Sequence, residues 1–534
     1  MQTTSSGWAN KVTQGSRRIG FGFLAGFNRT TNSGVRFWTI NQSRIGGPDI
    51  IKGGGGVTTF FDKYALSDYS QYVKSISVYR KLGQYPYGVI MAEADIELDN
   101  TSKKFLPQFD TTIGSGVGLP NRPIKISVGI EDEYMKLFVG FTTMPSNSLN
   151  NRLTNLHAFD AFNYINGFVS TASGAQVSKY AHEIKAALLE EAGFTSSQYL
   201  FDKSLQPPIG FLATNGKKAG EIFQKLDEAE QAMSFVDENG LIRSWNRQHS
   251  LTQSGVVSFQ LTYSNIKDIQ WQNTPIINDV IVRSKPRAVQ ARQKIWESTT
   301  TIALEPGQDT DVFIDFTDDD GDLPVTTVDI PKYITTASGS QSYYASNINE
   351  DGSGLAFNAN ITVISAYSFG NTYRVTFRNS HIGRLYLTQL VIYATPAKVT
   401  YPIEERYQDA TSIEAFGRNP MNNGEPLVIE NDLIQDASQA RTLAYTLVKE
   451  YKSPGKRYIC PVAIGSDPAR QIGDSGQIYI QDTRELKNVY ITGITNVIDR
   501  NGIYSQVLEV EERTPKRYWT INQSKIGGPD GIAP

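Results

Sequence analysis

Residues 92–99 read Ala-Glu-Ala-Asp-Ile-Glu-Leu-Asp, with an apolar side chain at every even position and a carboxylate at every odd one. Successive side chains of an extended chain point to opposite faces, so this alternation describes a strand with one buried and one wet face. The same period of two returns downstream. Ile124, Ile126, Val128 and Ile130 alternate with Lys125, Ser127, Gly129 and Glu131, and Tyr373, Val375 and Phe377 alternate with Arg374 and Thr376. Asn239-Gly240 and Asn501-Gly502 stand between apolar runs; the pair tolerates the positive φ angles of a type I′ turn and predicts a tight hairpin at each place. The chain reads as mainly β.

Three segments carry a helical period instead. Tyr180, Ile184, Ala187 and Leu188 share one helical face that stops near Gly193, and Ile222, Phe223, Leu226, Ala229 and Met233 form a second stripe. Ala440, Leu443, Ala444, Leu447, Val448 and Tyr451 form a third. Asp436 precedes it with Gln439 three positions on, a capping-box arrangement, and Pro454 follows its end. After Trp296 the chain turns to short β runs rich in Thr, Asp and Gly, the look of an inserted sandwich. The expected units are 1–175 (an N-terminal arm and first β-barrel), 176–256 (helices and hairpin), 257–296 (connecting strands), 297–400 (the inserted sandwich) and 401–534 (helix and second β-barrel).

At 534 residues, 39% of them hydrophobic and 11% aromatic, the chain can fill several cores. Lys and Arg (51) nearly balance Asp and Glu (54), so no global field selects nucleic acid or an anionic membrane. The polar Met1 to Val12 stretch lacks a signal-peptide layout, and no stretch approaches the ~20 apolar residues of a span. The expectation is a protein folded in a reducing cytosol, with neither membrane insertion nor specific nucleic-acid binding. The single cysteine, Cys460, has no disulfide partner within the chain and reads as a small hydrophobe in a strand.

Each candidate catalytic pattern breaks. His182-Glu183 opens like a zincin helix, but Ala186 stands where the second ligand belongs. The other histidines, His157, His249 and His381, show no metal-ligand spacing. Gly473-Asp474-Ser475-Gly476 looks like a protease nucleophile turn, yet Gln477 follows and no ordered His and Asp partners lie upstream; a β-turn accounts for it. Aligning Asp318-Asp319-Asp320-Gly321-Asp322 on a calcium loop puts Phe316 at the first ligand position, so a solvated turn is expected. Gly53 to Gly56 lacks the Lys-Ser or Lys-Thr of a phosphate loop and reads as flexible. No catalytic residue, cofactor or metal is assigned.

One repeat is present. Phe37-Trp-Thr-Ile-Asn-Gln-Ser-Arg-Ile-Gly-Gly-Pro-Asp49 returns as Tyr518-Trp-Thr-Ile-Asn-Gln-Ser-Lys-Ile-Gly-Gly-Pro-Asp530, identical at eleven of thirteen positions. The copies are too far apart for a solenoid, whose periods run about 20 to 50 residues. Each reads as a short strand ending in a turn, either local packing or a docking element. Trp38, Ile40, Asn41, Trp519, Ile521 and Asn522 are the candidate interface residues.

Three blocks resemble a known family. Ala94-Asp-Ile-Glu-Leu-Asp-Asn-Thr-Ser-Lys-Lys-Phe-Leu-Pro107, followed by Pro120-Asn-Arg-Pro-Ile-Lys-Ile126 and Phe138-Val-Gly-Phe141, is similar to the opening barrel of bacteriophage minor tail proteins. Lys218 to Ala229 with Phe235 to Ile242 resembles their helix-plus-hairpin domain. Ala440 to Tyr451, Ser466-Asp-Pro468, Gln471-Ile-Gly-Asp474 and Tyr490-Ile-Thr-Gly-Ile494 resemble their closing barrel, and the blocks occur in family order. The resemblance implies two barrel-like β hub domains, an α/β domain between them, and the sandwich as an addition. It further implies a non-enzymatic tail-tip or baseplate hub subunit of the virion, made and assembled in the host cytoplasm. That subunit would act as a homotrimer that meets the distal tail ring, the tape measure and tip or receptor-binding proteins. The second reading is a receptor- or glycan-binding tail-tip protein that meets the host surface through the inserted sandwich, with sugar rings stacking on Tyr343 and Tyr344. A cell-wall hydrolase is the third reading. Many hub relatives carry a C-terminal peptidase or hydrolase; with the sequence ending at Pro534, none is expected here.

Overall fold

The computed structural model describes residues 4, 8–13, 19–29, 64–81, 91–105, 120–130, 133–148, 150–170, 175–214, 216–247, 257–316, 326–327, 334–336, 341–369, 372–463, 465–481 and 483–512. Both copies of the repeat, with Trp38, Ile40, Asn41, Trp519, Ile521 and Asn522, lie outside the described residues, as do 53–56, His249 and 318–322.

The chain is mainly β, with its longer helices gathered in one region. Ala94, Ile96 and Leu98 of strand Glu93–Asp99 are buried and the acidic positions between them are not. Tyr373, Val375 and Phe377 are wholly buried.

Among the described residues fourteen strands join in one hydrogen-bonded sheet, the short Ser146–Ser148 pairing at its side with Leu153–Phe159. Its first half runs from Tyr64–Asp68 through Ile19–Arg29, Pro123–Ile130, Glu133–Thr142, Leu153–Phe159 and Glu93–Asp99 to Val73–Lys81. Phe23 and Ile76 come from near opposite ends of that run yet share one core with Ile96, Ile126 and Leu156, so this half curls on itself as a barrel does. The second half comprises Glu485–Ile498, Tyr504–Glu512, Lys456–Val462 and Gln270–Asn273, with Ser475–Ile480 and Phe259–Leu261 branching off. It holds a separate core around Leu261, Cys460, Ile478, Ile491 and Leu508. The halves meet where Val73–Lys81 pairs antiparallel with Glu485–Ile498, Ile76 opposite Ile498 and Lys81 opposite Gly493. Because that last strand is 14 residues long, it serves both cores: Ile491 and Ile494 face one, and Ile498 the other.

The helices Ala161–Gly167, Ala181–Glu191, Ala219–Glu230 and Ala437–Tyr451 pack into a third core with two three-stranded sheets. One sheet is Tyr199–Phe201, Ile242–Trp245 and Met233–Val236; the other is Ile403–Gln408, Asp279–Ser284 and Leu427–Glu430. In sequence, this core draws on 161–242, 277–282 and 403–448. Between its strands Asp279–Ser284 and Ile403–Gln408 sits a sandwich with its own core, whose buried members run from Leu304 to Ile392. A four-stranded sheet (Gln293–Glu297, Leu385–Ala394, Ile302–Leu304, Tyr343–Asn347) faces a three-stranded one (Asp309–Asp315, Thr372–Asn379, Ile361–Phe369). Arg287–Val289 pairs with Pro396–Val399 at the base, bringing the chain's entry and exit together.

Several local expectations need correction. The Asn-Gly hairpins are not type I′ turns. Asp237 N donates to Leu241 O (2.9 Å) and Gly240 N to Asp237 O (3.0 Å), enclosing three residues, with positive φ at Gly240 but not at Asn239. Asp499 to Ile503 repeats this pattern. The cause is the leading aspartate: Asp237 Oδ1 accepts from the N–H groups of Asn239 and Leu241, and Asp499 Oδ1 from those of Asn501 and Ile503. That holds the longer turn, so the left-handed angle falls on glycine alone.

Helix Ala181–Glu191 buries Lys185 rather than Ala187, and Tyr180 is exposed at its start. Met233 leaves the helical stripe for strand Met233–Val236 because Gln231, at φ 53°, ends the helix first. Asp436 caps its helix by accepting from Gln439 N (2.7 Å), but the Gln439 side chain accepts from Gln435 N, one residue before the cap. Tyr344 is not an exposed platform. It is 4% exposed, and its hydroxyl donates to Ile361 O at 2.8 Å, while Tyr343 is half-buried.

Candidate functional site

The described parts converge on one arginine. Strand Val73–Lys81 turns Ile76, Val78 and Arg80 to the same buried face, so the guanidinium enters the protein where an aliphatic side chain would be expected. Nη1 of Arg80 donates to Gln471 Oε1 at 2.6 Å and Nη2 to Val236 O at 3.3 Å. One side chain thus links the first half of the large sheet, the second half and the α/β core. Burial lowers its pKa from the usual arginine value, and the nearby carboxylates Glu238, Asp237, Asp160 and Asp474 oppose that.

The turn that receives Arg80 is built for close approach. Asp474 Oδ2 accepts from Gln471 N at 2.7 Å, and Gly473, at φ 84°, lies against Trp245. A Cβ there would stand 2.7 Å from the indole ring, so hairpin and turn touch because glycine leaves the room. Asp160 adds a second tie. Its carboxylate accepts from Ala92 N (2.7 Å) and from Phe162 N (2.9 Å), joining the barrel to helix Ala161–Gly167, and burial pushes its pKa up to about 7. A third tie is Trp8, in helix Trp8–Thr13: buried, it donates Nε1 to Asp467 Oδ1 at 2.9 Å. Asp467, Gln471 and Asp474 all belong to the closing block of the sequence resemblance. Trp8 and Arg80 were not singled out from sequence; an isolated Trp in a polar stretch, and an Arg at an inward position of an alternating strand, were the signals.

These groups hold parts together. Asp279, fully buried, accepts a bidentate pair from Arg406 (2.9 and 2.5 Å) and a contact from Arg418 (3.1 Å). Beside it Asn278 and Asn419 exchange backbone-to-side-chain hydrogen bonds. Next to this network a groove of about 470 Å³ is lined by Gln272, Ile277, Asn419, Met421, Tyr451 and Arg457, among others. It borders Gln270–Asn273, the end strand of the large sheet, where Trp271 is 65% exposed.

The residues weighed for chemistry are dispersed. His182 Nδ1 lies 3.0 Å from Ser204 Oγ, its ring stacks on Tyr180, and burial lowers its pKa. Ser475 opens strand Ser475–Ile480, and its carbonyl accepts from Ser258 N. His157 pairs with Asp95 on the barrel surface (2.6 Å), and His381 Nδ1 accepts from Gly383 N (3.1 Å). Burial pushes the Cys460 thiol up to about 12, which keeps it protonated and unreactive. Among the described residues no three His, Cys, Asp or Glu side chains group as metal ligands, and no helix is long and apolar enough to cross a membrane.

No protein-family model matches the chain, and no curated protein sequence matches it. Among solved structures it is similar to the 43 kDa tail protein of prophage MuSo2 from Shewanella oneidensis, at 11% identity and TM-score 0.44 over 83% of this chain and 95% of that one. A tail protein from Neisseria meningitidis MC58 gives 8% identity and TM-score 0.44, covering 84% and 94%. Prophage tail protein gp18 from Listeria monocytogenes EGD-e gives 9% and 0.39, covering 85% and 93%.

Proposed function

We propose that the chain is a structural subunit of a bacteriophage tail tip or baseplate, a hub that joins the tail tube and distal tail ring to the distal tip apparatus. The observation that carries this reading is the ordered set of three sequence blocks, whose polar residues Asp237, Asp467, Gln471 and Asp474 cluster at the junctions around Arg80 and Trp8. Such residues serve scaffold geometry. The reading makes the chain a non-enzymatic virion component, assembled in the host cytoplasm, that acts as a homotrimer.

In the same proposal the two repeats are docking elements for a six-fold partner. Three subunits with two copies each supply six, and Trp38 and Trp519 give each copy an aromatic anchor for strand addition. Light scattering of the purified chain should return the mass of three 59.2 kDa subunits. Trp38→Ala and Trp519→Ala should leave that trimer intact while tail assembly stalls. A monomer at micromolar concentration, or unfolding of the subunit by either substitution, would count against the trimer and the docking role respectively.

A further inference from the structure

The three-stranded sheet of the sandwich presents an outer face opposite its core. Strand Asp309–Asp315 turns Val312 and Ile314 into the core and Asp309, Asp311, Phe313 and Asp315 outward. In the register of this sheet Phe313 stands opposite Arg374, and Arg374 opposite Tyr367. A guanidinium therefore sits between two aromatic positions in one row across three strands. Phe313 is 66% and Tyr367 53% exposed. Adjacent strands lie ~4.8 Å apart, which spaces the two ring-bearing positions by roughly 10 Å.

The neighbouring row is polar and ordered. Ser365 Oγ donates to Thr376 Oγ1 at 2.9 Å, and Thr376 Oγ1 donates to Asp311 Oδ1 at 2.7 Å. Arg374 Nη2 lies 3.2 Å from Asp311 Oδ2. In the next row Arg378 makes a bidentate pair with Asp309 (2.6 and 2.8 Å). The face thus offers flat apolar rings beside a carboxylate and a guanidinium already fixed by their neighbours.

We propose that this face binds a neutral, hydroxyl-rich polysaccharide. The C–H faces of pyranose rings would stack on Phe313 and Tyr367, and ring hydroxyls would donate to Asp311 and accept from Arg374. Charge selects this class. Arg374 is paired with Asp311 and Arg378 with Asp309, so the two guanidiniums are already neutralised by acids on the same face, which disfavours an anionic polymer. Acidic residues along this strand, the end one among the described residues, also disfavour strand addition by another protein, and the apolar side chains are too separated by charge to form the core of a protein interface. This surface replaces Tyr343 and Tyr344 as the glycan platform, and it stands whether or not the chain is a tail hub.

The test uses the full chain in native affinity electrophoresis through gels containing dextran, mannan, galactan or a rhamnose polymer, with polygalacturonate as the anionic control. The wild type should be retarded by at least one neutral polymer and not by polygalacturonate. Phe313→Ala and Tyr367→Ala should each weaken that retardation by about ten-fold, and Ile382→Ala, at a residue 94% exposed but outside these three strands, should leave it unchanged. Thermal unfolding of each variant, measured beside the gels, separates lost binding from lost folding: a variant that unfolds with the wild type and is no longer retarded has lost binding alone. Absence of retardation by every neutral polymer, retardation by polygalacturonate alone, or binding that survives both aromatic substitutions would overturn the proposal.

Discussion

Lys185 and Asp227 form an ion pair sealed from water, with side chains 2% and 0% exposed. Ser244 Oγ accepts from Lys185 at 2.9 Å, and Ser234 donates to Asp227 from both its backbone N–H and its hydroxyl. Helices Ala181–Glu191 and Ala219–Glu230 are thereby locked to the hairpin of their own core. Removing one partner leaves the other charge buried and alone, at about 3–5 kcal/mol; removing both need not. Lys185→Met should lower urea stability by that amount, and adding Asp227→Leu should restore much of it. A double variant no more stable than the single one would show that the pair is not the unit of stability.

Asp160 makes stability fall as pH rises. Its pKa stands near 7 when folded, against an ordinary 3.8, chiefly because burial disfavours the charge. The folded chain then holds a proton that the unfolded chain releases between those values. The associated stability is fully present below pH 3.8 and is lost as pH climbs to about 7. Asp160→Asn cannot titrate, so the stability difference between wild type and variant should shrink from pH 4 to 7. A difference that stays constant over that range would place the Asp160 pKa at its ordinary value.

The two Asp-x-Asn-Gly hairpins should respond differently to the same change. Gly240 and Gly502 both have positive φ, 82° and 75°, so alanine is strained at either, by roughly 1 kcal/mol. At Gly502 nothing lies within 4 Å of a new Cβ, whereas at Gly240 it would stand 2.8 Å from Val139 Cγ1 of the barrel. Gly240→Ala should therefore cost clearly more than Gly502→Ala in thermal unfolding. Equal costs would mean that the hairpin does not rest on Val139.

What could be read along the chain follows from how burial is achieved. Half-wet strands such as Glu93–Asp99 alternate because one face meets a core, and that signal is local. Strand partners are not local: nothing in Val73–Lys81 announces Glu485–Ile498, and the continuous sheet emerges only from that pairing. Buried charge was equally hidden. Lys185 looks like a solvated helix position, and its partner lies on another helix. The Asn-Gly pairs marked both hairpins correctly, but the aspartate two residues earlier chose the turn. The repeats, the most visible feature of the sequence, fall where the structure describes nothing.

The sandwich should be removable. Its buried residues pack with one another, and the pairing of Arg287–Val289 with Pro396–Val399 brings its ends to one place. Replacing residues 290–395 with a short Gly-Ser linker should leave cooperative unfolding of the rest intact. Loss of that cooperativity would show that the sandwich braces the rest of the chain.

The proposed place of this chain at the tail tip is open to imaging of assembled particles. Electron micrographs of particles carrying a gold-labelled version of this chain should place the label on the tail axis at the distal tip. Three-dimensional averages of that region should show threefold density into which the 14-stranded sheet docks. Label along the tube, at the head, or absent from purified particles would contradict the account.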